Sequence, residues 1–404
     1  MKPAVSERST VLLVAAVQFV NILDFMMVMP MGPDFARALH IPTSELGLIG
    51  GSYTAAASVS GLAGSLFLDR YDRRKALAVA MFGLMAGTVM GGLATGLPTL
   101  MAARVIAGAF GGPATSLALS IIADVIPPER RGKAMGTVMT SFSIASVLGV
   151  PAGLELARLG GWRMPFFAVG AMGLALAALA VFLLPPLRGH LDRKTDAEAV
   201  SFGDLFRRPV VLYSYVMTAT AMMGAFILIP NISAYIQQNL AYPREHIGRL
   251  YLIGGCVSFG VLQFVGRLVD RYGSVRVGLP GTITLALVVY AGFVAVPPWF
   301  PVLAIFIGFM GTSGFRNVAF NTLTSKVPRP AERARFMSIQ SAVQHAASAA
   351  GAVLSSRLLV ENAAHRLEGM RTVALVSIAL MSALPPLMFV VERKVAEATG
   401  PRPS

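Results

Sequence analysis

Leu68-Asp69-Arg70-Tyr71-Asp72-Arg73-Arg74-Lys75 sets six charges in eight residues between two long runs that hold almost none. The same Asp-Arg-Tyr core returns at Val269-Asp270-Arg271-Tyr272-Gly273-Ser274-Val275-Arg276, so Asp69 and Asp270 lie 201 positions apart, about half of the 404 residues. Self-similarity at half the chain length points to two similar halves joined in one chain. A second echo has nearly the same offset: Ile126-Pro127-Pro128-Glu129-Arg130-Arg131 is matched by Val327-Pro328-Arg329-Pro330-Ala331-Glu332-Arg333, with Glu129 and Glu332 separated by 203 positions. Two pairs of short charged loops at one offset are hard to obtain by chance.

The surroundings of these loops decide the solvent. The chain is 55% hydrophobic and 13% charged, against roughly 25% charged in a soluble domain, so lipid must cover its apolar surface. A membrane helix takes about 20 mostly apolar residues. Charge-poor windows of that size fall at 10–31, 46–68, 76–95, 99–123, 134–157, 164–184, 209–234, 248–268, 276–296, 300–325, 335–359 and 373–392. They predict an all-α membrane protein of twelve spans. Its pseudo-symmetric six-helix halves are 1–184 and 209–404, with a linker over 185–208. Gly96-Leu97-Pro98 and Pro297-Pro298-Trp299-Phe300-Pro301 break apolar runs at equivalent places in the two halves, because proline cannot continue a helix.

Of the 34 Lys and Arg residues, 23 fall on one side if the first span starts in the cytoplasm, eight on the other, and three, Arg104, Arg267 and Arg316, inside spans. The positive-inside rule then places both termini and the linker, including Ala197, in the cytoplasm. The formal net charge of +14 reflects orientation in a membrane, and no nucleic acid is expected as a partner. Cys256 is the single cysteine, which excludes an internal disulfide. The first apolar run is too long for a cleavable signal peptide.

On these residues the chain resembles the major facilitator superfamily, whose signature between the second and third spans is a glycine followed by Asp-Arg-x-Gly-Arg-Arg. Gly266 through Gly273 is similar to that pattern, whereas the first copy has Ser65 and Asp72 where glycines are expected. Asn21-Ile22-Leu23-Asp24 through Pro30, and Leu100 through Gly108 around Arg104, resemble motifs of proton-coupled exporters in this superfamily. Gly149-Val150-Pro151-Ala152-Gly153 resembles the fifth-span motif of its antiporters, and Gly161-Trp162-Arg163 adds to the likeness. The resemblance implies a twelve-helix drug or metabolite:proton antiporter of a bacterial cytoplasmic membrane, monomeric, with protons and a small molecule as partners. It also implies a cytoplasmic latch of Asp69, Arg70, Arg73, Asp124, Asp270 and Arg271, in which Asp69 faces the start of the eleventh span and Arg73 reaches Asp124.

Ionisable groups at membrane depth are costly and mark function. At 1.5 Å per residue, Asp24 and Arg104 come to similar depths, roughly 21 and 22 Å from the cytoplasmic face, so they could pair, and a proton on Asp24 could open the pair. A permanent structural pair is the alternative. Gln18, Asn21 and Asp24 recur every third residue and predict one polar stripe toward a substrate cavity. His345 lies near the midplane and is a second candidate proton site, since histidine titrates near neutrality; a neutral, hydrogen-bonded residue is its other reading. Gln340 and Gln344 lie on the same span, while Tyr213 and Asn231 on the seventh are further cavity candidates. Arg316, with Asn317 beside it, could hold an anionic substrate group or anchor a gate through carbonyls.

Gly108 through Gly112 and Gly254-Gly255 carry no phosphate-loop pattern. No metal-ligand spacing, nucleotide motif or nucleophile with a base is present, so no cofactor and no enzyme activity are expected. The leading expectation is export of amphipathic or hydrophobic compounds in exchange for protons, by rocking of the halves about a midplane cavity. Import or lipid carriage on the same fold, or a non-transporting membrane sensor or membrane enzyme, are the alternatives.

Overall fold

The structure, a computed structural model, describes residues 7–185, 187, 205–329 and 332–399. Helix occupies every one of the twelve windows read from the sequence. The first half runs α1 (Glu7–Val28), a short α2 (Gly32–Leu39), α3 (Leu46–Phe67), α4 (Arg73–Gly92), α5 (Leu97–Val125), α6 (Pro128–Ile144), α7 (Val150–Gly160) and α8 (Met164–Leu183). The second runs α9 (Pro209–Phe226), α10 (Ile229–Gln238), α11 (Ile247–Tyr272), α12 (Ser274–Tyr290), α13 (Val302–Ser325), α14 (Arg333–Leu358), α15 (Met370–Ser382) and α16 (Leu384–Thr399). Ten of the described helical runs are long and apolar enough to cross a membrane by length and composition. α3 and α14 are as long, but Gly, Ser, Ala and Thr dilute the first, and Ser, Ala, Gln and His the second. Small residues let helices approach closely where lipid supplies no driving force between them. α3 lies along α5, and α14 along α9.

The helices start and break where backbone chemistry requires. Proline stands in the first turn of α5, α6, α8, α9 and α10, where its missing N–H leaves no gap in the ladder. Between α6 and α7 the rod widens to a π segment, Ala145–Gly149, just ahead of Pro151, whose ring would collide with a carbonyl four residues back in a regular helix. A second π segment, Ala291–Ala295, closes α12 before Pro297-Pro298. The windows did not foresee a two-stranded antiparallel hairpin between α14 and α15, Val360–Glu361 with Leu367–Glu368. Asn239, just after α10, clasps it by donating to Leu367 O at 2.9 Å and accepting from Leu367 N at 3.0 Å.

The described chain forms two compact units. One takes in the described part of Met1–Glu198 with Glu245–Leu252, the other the described part of Ala199–Arg244 with Ile253–Ser404. The core of the second is a cluster of α9, α13, α14 and α16 side chains around Phe320, Phe336 and Met388. The repeated loops differ in their turns. Gly273 takes a left-handed φ of 89° before α12, open to glycine at little cost. Asp72 has φ −55°, so no left-handed residue is needed there. Its carboxylate caps α4 by accepting from Arg74 N at 2.9 Å, and it also accepts from Leu187 N at 3.2 Å. The departure from glycine is thus absorbed by a different turn with its own cap.

A further echo appears in the ion pairs at the helix starts. In the first unit Glu7 pairs with Arg130 at 3.1 Å, and in the second Arg208 pairs with Glu332. The positions correspond at the repeat offset, with acid and base exchanged. Each unit therefore ties the start of its first rod to the loop after its fourth, by the same contact in opposite polarity.

Candidate functional site

All three residues of the polar stripe on α1 are buried: Gln18 and Asn21 at 4% exposure and Asp24 at 0%. The Asp24 carboxylate receives a two-pronged guanidinium, Arg104 Nη1 donating to Oδ1 and Nη2 to Oδ2, each at 3.0 Å. This fork is the strong form of a charged hydrogen bond. The Thr88 hydroxyl of α4 lies 2.7 Å from Asp24 Oδ1 and 2.9 Å from Leu84 O, and its single proton serves one of them at a time. Arg104 also lies over the Tyr53 ring of α3, 4.6 Å from its centroid, a placement in which the ring face attracts the cation. Tyr53 donates to Asn21 Oδ1 at 3.1 Å, and Asn21 Nδ2 donates to Gly111 O at 3.0 Å and Thr115 Oγ1 at 2.8 Å.

Helical spacing on α5 builds this network. Arg104, Gly108, Gly111 and Thr115 fall at intervals of 4, 3 and 4, one face of a helix. That face must meet α3 with no side chain between, because a Cβ on Gly108 would run into the Tyr53 backbone carbonyl and one on Gly111 into the Tyr53 hydroxyl. The arrangement has two chemically distinct states. With Asp24 ionised, the fork closes and the unit holds a neutral pair. A proton on Asp24 would take one acceptor from the fork and leave the pair with a net positive charge. Arg104 Nε has no acceptor among the described residues.

Asn21, expected to line a cavity, has its amide engaged within its own unit by α5 and α3. Gln18 keeps an unpartnered Oε1. A Cβ added at Gly149 would meet Leu23 and Phe19 of α1, whereas one added at Gly153 would have only Met27 Cβ within 4 Å, at 3.8 Å, and Pro151 follows the π segment. Of the loop residues, Arg73 Nε reaches Asp124 Oδ2 at 3.0 Å. Asp69 sits in a 3-10 turn, Leu68–Arg70, its side chain outside the description. Arg70, Asp270 and Arg271 are exposed, with Arg271 lying 5.3 Å from the Tyr272 ring centroid.

In the second unit the singled-out residues do not join one hydrogen-bonded network among the described residues. Gln340 Nε2 donates to Thr218 Oγ1, and Asn231 Nδ2 to Ser355 Oγ at 2.5 Å; Oε1 of Gln340 and Oδ1 of Asn231 have no partner. Gln344 and His345 are partly buried on α14. Tyr213 stands apart, exposed, with the Lys394 ammonium 5.7 Å from its ring centroid. Arg316 is fully buried and donates from Nη2 to Asn317 Oδ1 at 3.1 Å.

Sequence reasoning missed Tyr53, Thr88 and Thr115. Tyr53 did carry a signal: tyrosine concentrates at membrane interfaces, and this one lies inside its window. Thr88 carried none, since a threonine bonded to the carbonyl four residues back is ordinary in a helix.

Two units built of helices long and apolar enough to span a membrane, one with an ion pair closed inside it, define a polytopic α-helical membrane protein. The family model of the Major Facilitator Superfamily matches residues 14–352 and, in an overlapping match, 214–404; the chain belongs to that superfamily. Among solved structures, it is similar to a bacterial homolog of the human lysosomal transporter Spinster in an inward-facing, unoccupied conformation (TM-score 0.79, 17% identity, 100% of both chains). It is also similar to a D-xylose-proton symporter (TM-score 0.75, 16% identity, 95% of this chain and 98% of that one). A third likeness is to the nucleoside transporter NupG (TM-score 0.74, 13% identity, 96% and 100%). At these identities the likeness is one of fold.

Proposed function

We propose that the protein is a proton-coupled exporter that exchanges protons for small amphipathic compounds by alternating access, with Asp24 as the proton carrier. The observation that carries the reading is the Asp24 carboxylate, at 0% exposure, held by the Arg104 fork and in reach of the Thr88 hydroxyl. An exporter needs a group that is ionised in one facing state and neutral in the other, and a carboxylate whose partner can be released meets that need. One proton moving inward gains about 2.3 kcal/mol per 100 mV, enough to hold a neutral compound at a gradient of roughly fiftyfold. His345 stands second as a proton site. The same reading has both termini and the linker in the cytoplasm of a bacterial inner membrane, the halves divided at 185–208, and the working unit a monomer.

The test is reconstitution in liposomes with a trapped pH-sensitive dye. Adding a transported compound on one side should move protons the opposite way, and Asp24→Asn should abolish that movement while compound binding persists. If Asp24→Asn moves protons like the wild type, Asp24 is not the carrier. If protons and compound move the same way, the protein is a symporter.

A further inference from the structure

We infer that Arg316 is the anchor for an anionic group on the transported compound, so that the substrates are small organic acids: a carboxylate on an apolar body. This rests on the transporter reading above and adds the substrate's charge to it. Arg316 is at 0% exposure on α13, yet two of its three guanidinium nitrogens, Nε and Nη1, have no acceptor among the described residues. Its one hydrogen bond, from Nη2, goes to the neutral amide oxygen of Asn317. The gate-anchor alternative required backbone carbonyls as partners, and none is bonded here.

A guanidinium cannot shed its proton to escape burial, and an isolated charge taken out of water is costly unless it is paired. Arg104 solves this with Asp24. Among the described residues of the second unit no carboxylate pairs with Arg316. Among the described residues that unit's carboxylates are Asp270 close to the end of α11, Glu332 at the cap of α14, Glu361 and Glu368 on the hairpin, and Glu392 and Glu397 in the second half of α16. Among the described residues the buried Arg316 charge is therefore met by no carboxylate, and an anion brought from outside the chain would supply one. The walls say what should accompany it. Ala319 and Phe320, three and four residues on and so on the same side of α13 as Arg316, belong to the hydrophobic core, so an acid with an apolar body matches the surroundings better than a hydrated inorganic ion.

Binding to the purified full-length protein tests this with 3-phenylpropionate, its neutral isostere 3-phenylpropionamide, and sodium chloride, read as ligand-induced shifts in thermal unfolding. The acid should stabilise the wild type in a saturable way and the amide should not. Arg316→Gln should weaken the acid at least tenfold, and Arg316→Lys should retain part of the effect. Equal effects of acid and amide, no effect of the acid, or wild-type affinity in Arg316→Gln would each overturn the inference, and an effect reproduced by chloride would reduce it to an inorganic anion site. Should Arg316→Gln not fold, the acid and amide comparison in the wild type decides. Asp24→Asn separates the two proposals: if it binds the acid normally but still moves protons, the coupling assignment fails and the anion site stands.

Discussion

The buried pair predicts a specific stability cycle. Asp24 and Arg104 are both at 1% exposure or less and joined by two hydrogen bonds of 3.0 Å, so removing either charge strands the other where water does not reach. Breaking such a pair costs about 3–5 kcal/mol, whereas removing both charges together is often close to neutral. The two single changes are not equivalent. In Arg104→Gln the stranded carboxylate can take up a proton and become neutral, and Thr88 remains in reach. In Asp24→Asn the stranded guanidinium cannot lose its proton, and it keeps only the Tyr53 ring face and the neutral oxygens left to it. Asp24→Asn should therefore be the more destabilising, by about 1 kcal/mol or more, and the double variant Asp24→Asn/Arg104→Gln should be more stable than either single one. Unfolding by sodium dodecyl sulfate in mixed micelles, followed by far-UV circular dichroism, measures all four proteins. A double variant whose loss equals the sum of the single losses within about 0.5 kcal/mol would show that the two residues act independently and would refute the reasoning.

Thr88→Val keeps the shape of the side chain but removes the hydroxyl near Asp24 Oδ1 and Leu84 O; the same unfolding assay should show a loss of about 1.5–3 kcal/mol, the range for a hydrogen bond to a charged group. Gly108→Ala should cost about 1–3 kcal/mol because its methyl would meet the Tyr53 backbone. Gly153→Ala, whose nearest neighbour is Met27 Cβ at 3.8 Å, should stay within about 0.5 kcal/mol of wild type. For the proposed topology, a Cys256→Ser background with Ala363→Cys should react with a membrane-impermeant maleimide on intact cells, and one with Tyr71→Cys only after permeabilisation; the opposite pattern would invert the orientation.

The twelve windows were legible because a membrane imposes one requirement on every span, a stretch of apolar residues long enough to close its own backbone hydrogen bonds. Details set by single residues were less so. Pro151 marked a disturbance, but whether the rod would kink, break or widen depended on packing against α1. Asp72 could be read as a departure from a glycine pattern, yet nothing local showed that its carboxylate would cap α4 and hold Leu187. The same limit applies to the site. Asp24 and Arg104 stood out as charges in apolar runs at equal depth, and the three-residue spacing put Gln18, Asn21 and Asp24 in one stripe, all of it buried. Spacing gives a face but not the neighbour it meets, so Asn21 was assigned to a cavity when α3 and α5 were waiting for it.

The two units share a scaffold but differ in how they treat a buried cation, and this difference bears on how work is divided between them. The exchanged polarity of Glu7–Arg130 and Arg208–Glu332 shows that the repeat tolerates reversed charge at this contact, whether the pair is exposed, as in the first unit, or largely covered, as in the second. The two arginines buried within the spans are treated differently. The first unit supplies its arginine with a carboxylate, while the second leaves Nε and Nη1 of Arg316 without acceptors among the described residues. A pair closed within one unit can respond to a proton without any ligand. An unpaired cation can respond only to something brought to it. If both proposals hold, proton and substrate act on different units, and their exchange must be coupled through the conformational cycle and not by competition for a single residue. Saturating 3-phenylpropionate should then leave the proton affinity of Asp24 unchanged in a protein locked in one facing state, and direct competition there would place both ligands on one site.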